Sequence, residues 1–178
     1  MDKATQRLFF ALWPDASISE ALAAVAQQVV VESGGRPTPL ANVHLTLAFL
    51  GEQPHRIAQE LSAAASRIAA PAFDLVFDRV DSWRKNAIAW AGVQSVPAPL
   101  VELHHAIAQS LLASGIETDD RPLAAHVTLA RRIETSVRHP LAPPLTWHVS
   151  AFALVASDLS AAGVSYRVLC RWPLGVNP

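Results

Sequence analysis

The order of periodic segments predicts an α+β fold of two pseudo-symmetric lobes, each an antiparallel sheet with flanking helices, closing on a central cleft. Three observations carry this expectation. Strand-like apolar runs alternate with helical ones in a strand, helix, strand order that occurs twice. Each occurrence holds a strand with a His-x-Thr sequence: His44 and Thr46 in NVHLTLAF, then His126 and Thr128 in AAHVTLAR. No low-complexity tract or flexible linker divides the chain. We therefore expect residues 1–178 to form a single bilobal domain with an internal duplication, its tetrads at 44–47 and 126–129.

The elements follow in order. RLFFALWP (7–14) is short, aromatic-rich and stopped by proline, a first strand. Ser17 and Glu20 have capping-box spacing, Ile18, Leu22, Val25 and Val29 recur at helical intervals, and Gly34-Gly35 ends that helix. The first His-strand occupies 43–50. PHRIAQELSAAASRIAAP (54–71) places Ile57, Leu61, Ala65 and Ile68 on one helical face between prolines. FDLVFDRVDSW (73–83) and NAIAWAGV (86–93) read as two strands, and Leu100, Leu103, Ile107 and Leu111 stripe a third helix over 97–114. The second His-strand spans 124–132, HPLAPP (139–144) reads as a connector, and two final strands lie near 146–156 and 164–172, flanking a turn with Asp158 and Gly163.

Composition narrows the function. A chain of 178 residues supports a real core, and its 51% hydrophobic content includes no apolar run of membrane-spanning length. The N-terminal stretch has no signal-peptide pattern, and the single cysteine, Cys170, excludes an intrachain disulfide; a cytoplasmic protein that docks on no membrane is expected, working as a monomer. A net charge of −1 argues against a long electrostatic footprint on nucleic acid and leaves open an RNA end or a small nucleotide.

On a strand, side chains alternate, so His44, Thr46 and Ala48 share one face and Val43, Leu45, Leu47 and Phe49 the other; His126, Thr128 and Ala130 repeat the pattern. Two such faces meeting across a cleft supply two groups that titrate near neutral pH and two neutral hydroxyls. That set suits in-line displacement at phosphorus without a metal. One imidazole takes a proton from water, the other gives one to the leaving oxygen, and the hydroxyls hold non-bridging oxygens. The structural alternative is a hydrogen-bonded pair copied by the duplication. Neither pair has zinc-ligand spacing, and a metal would need further ligands such as Asp119 or Asp120, so we expect no metal and no cofactor. Arg131 ends the second His-strand with no counterpart in the first, and by strict alternation points away from His126; a substrate-binding role competes with a surface one. Phe9, Phe10 and Trp83 are core residues by default, with Phe9 and Phe10 the candidates to line a base pocket. His55, His104, His105, His139 and His148 lack such a partner pattern.

At RLFFALWP, NVHLTLAFLGE, RPLAAHVTLAR and SYRVLCRWPL the sequence resembles the two-histidine phosphoesterase superfamily, specifically bacterial RNA 2′,3′-cyclic phosphodiesterases, also described as 2′-5′ RNA ligase-like proteins. The resemblance implies a bilobal fold with the tetrads lining the cleft, no metal, and hydrolysis of a ribose 2′,3′-cyclic phosphate to a 2′-phosphate on RNA ends or small nucleotides. It further implies that His44 donates the proton to the 3′-oxygen, His126 accepts one from water, Thr46 and Thr128 bind phosphate, and Arg131 lies beside the nucleotide. RNA ligation, another cyclic phosphoester, or non-catalytic binding of RNA ends are the alternatives.

Overall fold

The computed structural model describes residues 5–116, 122–160 and 163–175. Its strands are β1 (Thr5–Leu12), β2 (Arg36–Pro37), β3 (Leu45–Pro54), β4 (Phe73–Trp83), β5 (Ile88–Gly92), β6 (His126–Arg131), β7 (His139–Val149), β8 (Ala151–Ser160) and β9 (Gly163–Pro173); its helices are α1 (Ala16–Ser33), α2 (His55–Ala65) and α3 (Ala98–Ala113). The strands form two antiparallel sheets, one ordered β3-β1-β8-β9 and the other β2-β6-β5-β4-β7. The α+β class and paired sheets are as expected.

The lobes are nevertheless not two consecutive halves of the chain. In each sheet the His-strand pairs with the strand that precedes its helix, β3 with β1 and β6 with β5. The next strand is exchanged: β4, from the first half, extends the sheet of the second His-strand, and β8 and β9 extend that of the first. Strands β3 and β6 pack against each other where the sheets meet, which brings the two tetrads together.

Burial explains the doubly apolar first strand. Leu8, Phe10 and Leu12 enter the main core with Leu45, Phe77, Leu103, Val127 and Phe152, while Phe9 and Ala11, on the other face, form a smaller cluster with Ala153 and Val155. A strand covered on both faces reads as a continuous hydrophobic run.

Several boundaries differ from the sequence reading for identifiable reasons. Helix α1 is capped by Asp15, whose carboxylate accepts from the Ile18 N–H at 3.0 Å and the Ser17 hydroxyl at 2.8 Å, so Ser17 is not the cap. Helix α2 stops at Ala65, where tight i to i+3 bonds from Arg67 and Ile68 replace helical ones. The proline-rich 139–144 segment is the start of a strand. It lies on the sheet edge, and Pro143 and Pro144 fall in the irregularity between the Phe77–Leu145 and Arg79–Pro140 pairs, where a missing N–H disrupts no ladder. The run 146–156 is two strands: at Ser150 the chain leaves one sheet and enters the other. Asp158 belongs to β8, not to the turn.

Candidate active site

His44 sits just before β3, half-buried. Its Nδ1 lies 2.7 Å from the Asn42 carbonyl oxygen, which only accepts, so Nδ1 carries a proton and donates it there. Nε2 is thereby left unprotonated, 3.1 Å from the Thr46 hydroxyl. Aromatic rings enclose the imidazole: Trp13 stacks at 5.4 Å and 5°, Phe9 lies at 5.0 Å, and Tyr166 presents its ring at 80° from 5.0 Å. Burial among these rings disfavours the imidazolium, and the positive charges of His126 and Arg131 add to it against the Asn42 bond, holding the His44 pKa down at about 4. The Asn42 side chain in turn donates to the Val164 carbonyl at 3.0 Å, tying the His44 loop to the β8–β9 hairpin that carries Tyr166.

His126 opens β6 in the same way. Its Nδ1 donates to the Ala124 carbonyl at 2.6 Å, again two residues upstream, leaving Nε2 unprotonated. Trp83 meets its ring at 4.6 Å and Trp90 at 6.3 Å, both near perpendicular, and the Arg79 guanidinium lies over Trp90 at 5.4 Å. Desolvation is the main cause that lowers its pKa, with Arg131 assisting against the Ala124 bond. Both imidazoles are therefore neutral at neutral pH, and a bound anion is what would protonate one.

The strands depart from strict alternation at the last residue of each tetrad. On β6, Trp90 pairs with Thr128 and Ala89 with Ala130, so Leu129 is an extra, bulged residue. An extra residue reverses the parity of everything beyond it. Ile88, on the same face of β5 as Trp90, pairs with Arg131, which therefore shares the face of Thr128. On β3, Ala11 pairs with Thr46, Phe10 with Ala48 and Phe9 with Phe49, so Leu47 is extra and Phe49 joins the face of Phe9 and Thr46. Phe49 and Arg131 thus hold matching places, each five residues after its histidine.

Comparison with known proteins shows the family. The model of the LigT-like phosphoesterases matches residues 12–90, which include the first pair. A protein of Escherichia coli K12 named RNA 2′,3′-cyclic phosphodiesterase is 34% identical over 171 residues, covering 95% of this chain and 97% of that one. The chain belongs to the LigT-like phosphoesterase family. A Thermus thermophilus relative of the same name is 31% identical, over 94% of this chain and 90% of its own. The crystal structure of E. coli LigT complexed with 3′-AMP superposes with a TM-score of 0.87 at 33% identity, covering 96% of this chain and 99% of that one.

In this LigT-like phosphoesterase the predicted residues do not all gather. His44, Thr46, His126 and Thr128 lie on the facing surfaces of the two sheets, and Phe9 touches His44. Phe10 is a correction: adjacent to Phe9 on a strand, it points to the opposite face, into the core against Phe152 and Trp172. Arg131 and Phe49 are corrections in the other direction, since the bulges turn both onto the site face. Trp13, Trp90, Tyr166 and Asn42 were not singled out by sequence. Tryptophan and tyrosine in apolar runs look like core, and only the His44 backbone bond gives Asn42 a part. His55, His104, His105, His139 and His148 stand outside the site; His139 approaches Glu32 and His148 bonds Asp74. Among the described residues no three His, Cys, Asp or Glu side chains gather as a metal site; Asp119 and Asp120 lie outside the described residues. Likewise, no described helix is long and apolar enough to cross a membrane.

Proposed function

We propose that this chain is an RNA 2′,3′-cyclic phosphodiesterase that hydrolyses a ribose 2′,3′-cyclic phosphate to a 2′-phosphate, on RNA ends or small nucleotides, acting as a cytoplasmic monomer. The observation that carries the reading is the matched pair of imidazoles. Each has Nδ1 bonded to a backbone carbonyl two residues upstream and Nε2 available beside a threonine on its own strand face. The names of the relatives support the substrate class.

Binding of the phosphate anion between the histidines raises both depressed pKa values, and one proton is taken up. With His44 protonated at Nε2 and His126 neutral, water attacks phosphorus in line with the bond to O3′. The water proton passes to His126 Nε2, the P–O3′ bond breaks, and O3′ receives the His44 proton. The product is a 2′-phosphate with a free 3′-hydroxyl, and solvent exchange restores the starting protonation. Thr46 and Thr128 serve as donors to non-bridging oxygens, and Arg131 offsets their growing charge. The direction of transfer, from His44 and to His126, follows the resemblance, because the two rings are held alike. No step in this scheme needs a metal or a cofactor.

The test is turnover of a short RNA ending in 2′,3′-cyclic phosphate, with EDTA present and the product isomer identified. A 2′-phosphate is expected, with turnover lowered on the order of 10²- to 10⁴-fold in His44→Ala and in His126→Ala. Turnover only after a metal is added, or unchanged turnover in either variant, would overturn the mechanism. Saturable binding without product would leave a module that holds RNA ends.

A further inference from the structure

The geometry points to Arg36, paired with Arg131, as a second phosphate site, one that takes the phosphate on O5′ of the nucleotide whose cyclic phosphate reacts. This rests on the phosphodiesterase reading above and adds which neighbouring group of the substrate is held.

Arg36 and Arg131 are partners across β2 and β6, so their side chains leave the same face of the sheet. That is the site face, onto which the Leu129 bulge turns Arg131. Like charges directly opposite on neighbouring strands repel. Both residues are exposed, and among the described residues neither makes an ion pair that would offset the repulsion; Glu32, nearby in the chain, faces His139 instead. The backbone nevertheless holds the two together. The Thr38 N–H donates to the Leu129 carbonyl at 2.7 Å, and a Cβ on Gly35, at φ +90°, would come within 2.6 Å of the Arg131 carbonyl oxygen. Only glycine lets the chain approach so closely there, and Arg36 is the next residue. An anion between the guanidiniums turns their repulsion into attraction, and phosphate oxygens match the planar donor fork of arginine.

Spacing identifies which phosphate. On β5, Trp90 lies opposite Thr128 and Ile88 opposite Arg131, so the Arg131 row is two residues, roughly 7 Å, beyond the threonine that faces the reacting phosphate. One sugar-phosphate unit of an RNA strand covers a similar distance. The charge of Arg131 reaches both His44 and His126, so Arg131 stands between the two phosphates, and Arg36, one strand further out, meets the outer one. A net charge of −1 suits one added phosphate better than a long tract.

The test compares three forms of adenosine 2′,3′-cyclic phosphate, with a free 5′-hydroxyl, a 5′-phosphate or a 5′-methyl phosphate, in wild type, Arg36→Ala and Arg36→Lys. The methyl diester stands for an RNA linkage and the monoester for a free nucleotide. We expect wild type to prefer both phosphorylated forms. Arg36→Ala should shrink that preference in kcat/KM by about 3- to 30-fold, mainly through KM, less than for a buried charged pair because both groups meet water. Arg36→Lys should keep part of it, and added salt should weaken it in wild type. A preference for the diester assigns the site to an RNA strand, and one confined to the monoester assigns it to a mononucleotide. Equal losses on all three substrates, no loss on any, or a wild type indifferent to the 5′ group would overturn the second site and leave the phosphodiesterase reading standing. Wild type that turns over none of them would remove that reading, and the second site with it.

Discussion

His44 is held neutral by its surroundings, and this has a consequence for stability. Its folded pKa of about 4 lies below the ordinary 6.5, chiefly through burial. Between these values the unfolded chain binds a proton that the folded one refuses, so stability rises with pH across the window and falls as pH drops through 6.5. From pH 7 to pH 5 this residue should cost about 2 kcal/mol. His126 is shifted in the same direction and adds to the effect. Urea denaturation across that range should show the loss, and His44→Gln should remove the His44 share of the slope. An identical slope in the variant would mean that the ring is protonated freely in the empty site. The same depression makes substrate charge, not the free enzyme, the source of the protonated acid.

Among the elements, strand β5 shows how tightly the site is built. Gly92 lies opposite His126, and a Cβ at this position would come within 2.4 Å of the Trp90 ring. Trp90 is nearly buried between Arg79, Trp83 and His126, so the ring has little room to yield. Gly92→Ala should therefore cost about 1–3 kcal/mol by overpacking and should lower turnover as Trp90 shifts beside His126. Thermal or urea unfolding together with kinetics would check it; an unchanged midpoint would show that the indole turns aside without strain. The bulges at Leu47 on β3 and Leu129 on β6 act at this scale as well, since each decides which later side chains share the face of the threonine before it.

For the whole molecule, the exchange of strands predicts how the chain comes apart. A fragment of residues 1–93 would contain β1 with β3 and β4 with β5, each pair without the strands that continue its sheet. A fragment of 94–178 would hold the β8–β9 hairpin and two strands, β6 and β7, with no β5 or β4 to join them. Neither half should fold alone, because two-stranded pieces are at best marginal in water. Mixing the halves should restore ordered structure, and the intact chain should unfold in one cooperative step, as expected of a single domain. Native-like circular dichroism and cooperative melting of either isolated half would contradict this.

The sequence by itself determined much of the chemistry and the local structure. Hydrophobic periodicity located the helices and most strands, since a buried face must repeat with the geometry of its element. The His-x-Thr pair, occurring twice, marked His44, Thr46, His126 and Thr128, because a polar pair inside an apolar strand is hard to explain by packing alone. What tertiary structure decided was everything that depends on a partner strand. Bulges exist only between paired strands, so alternation counted along one strand placed Phe49 and Arg131 on the wrong face. The edge position of β7 made a strand of a proline-rich segment, and the change of sheet at Ser150 split a run that looks continuous. Pairing also mixed the two halves of the chain. The reason is the same throughout: periodicity records which side of an element is buried, whereas register, edges and the facing of two sheets are set by residues distant in sequence.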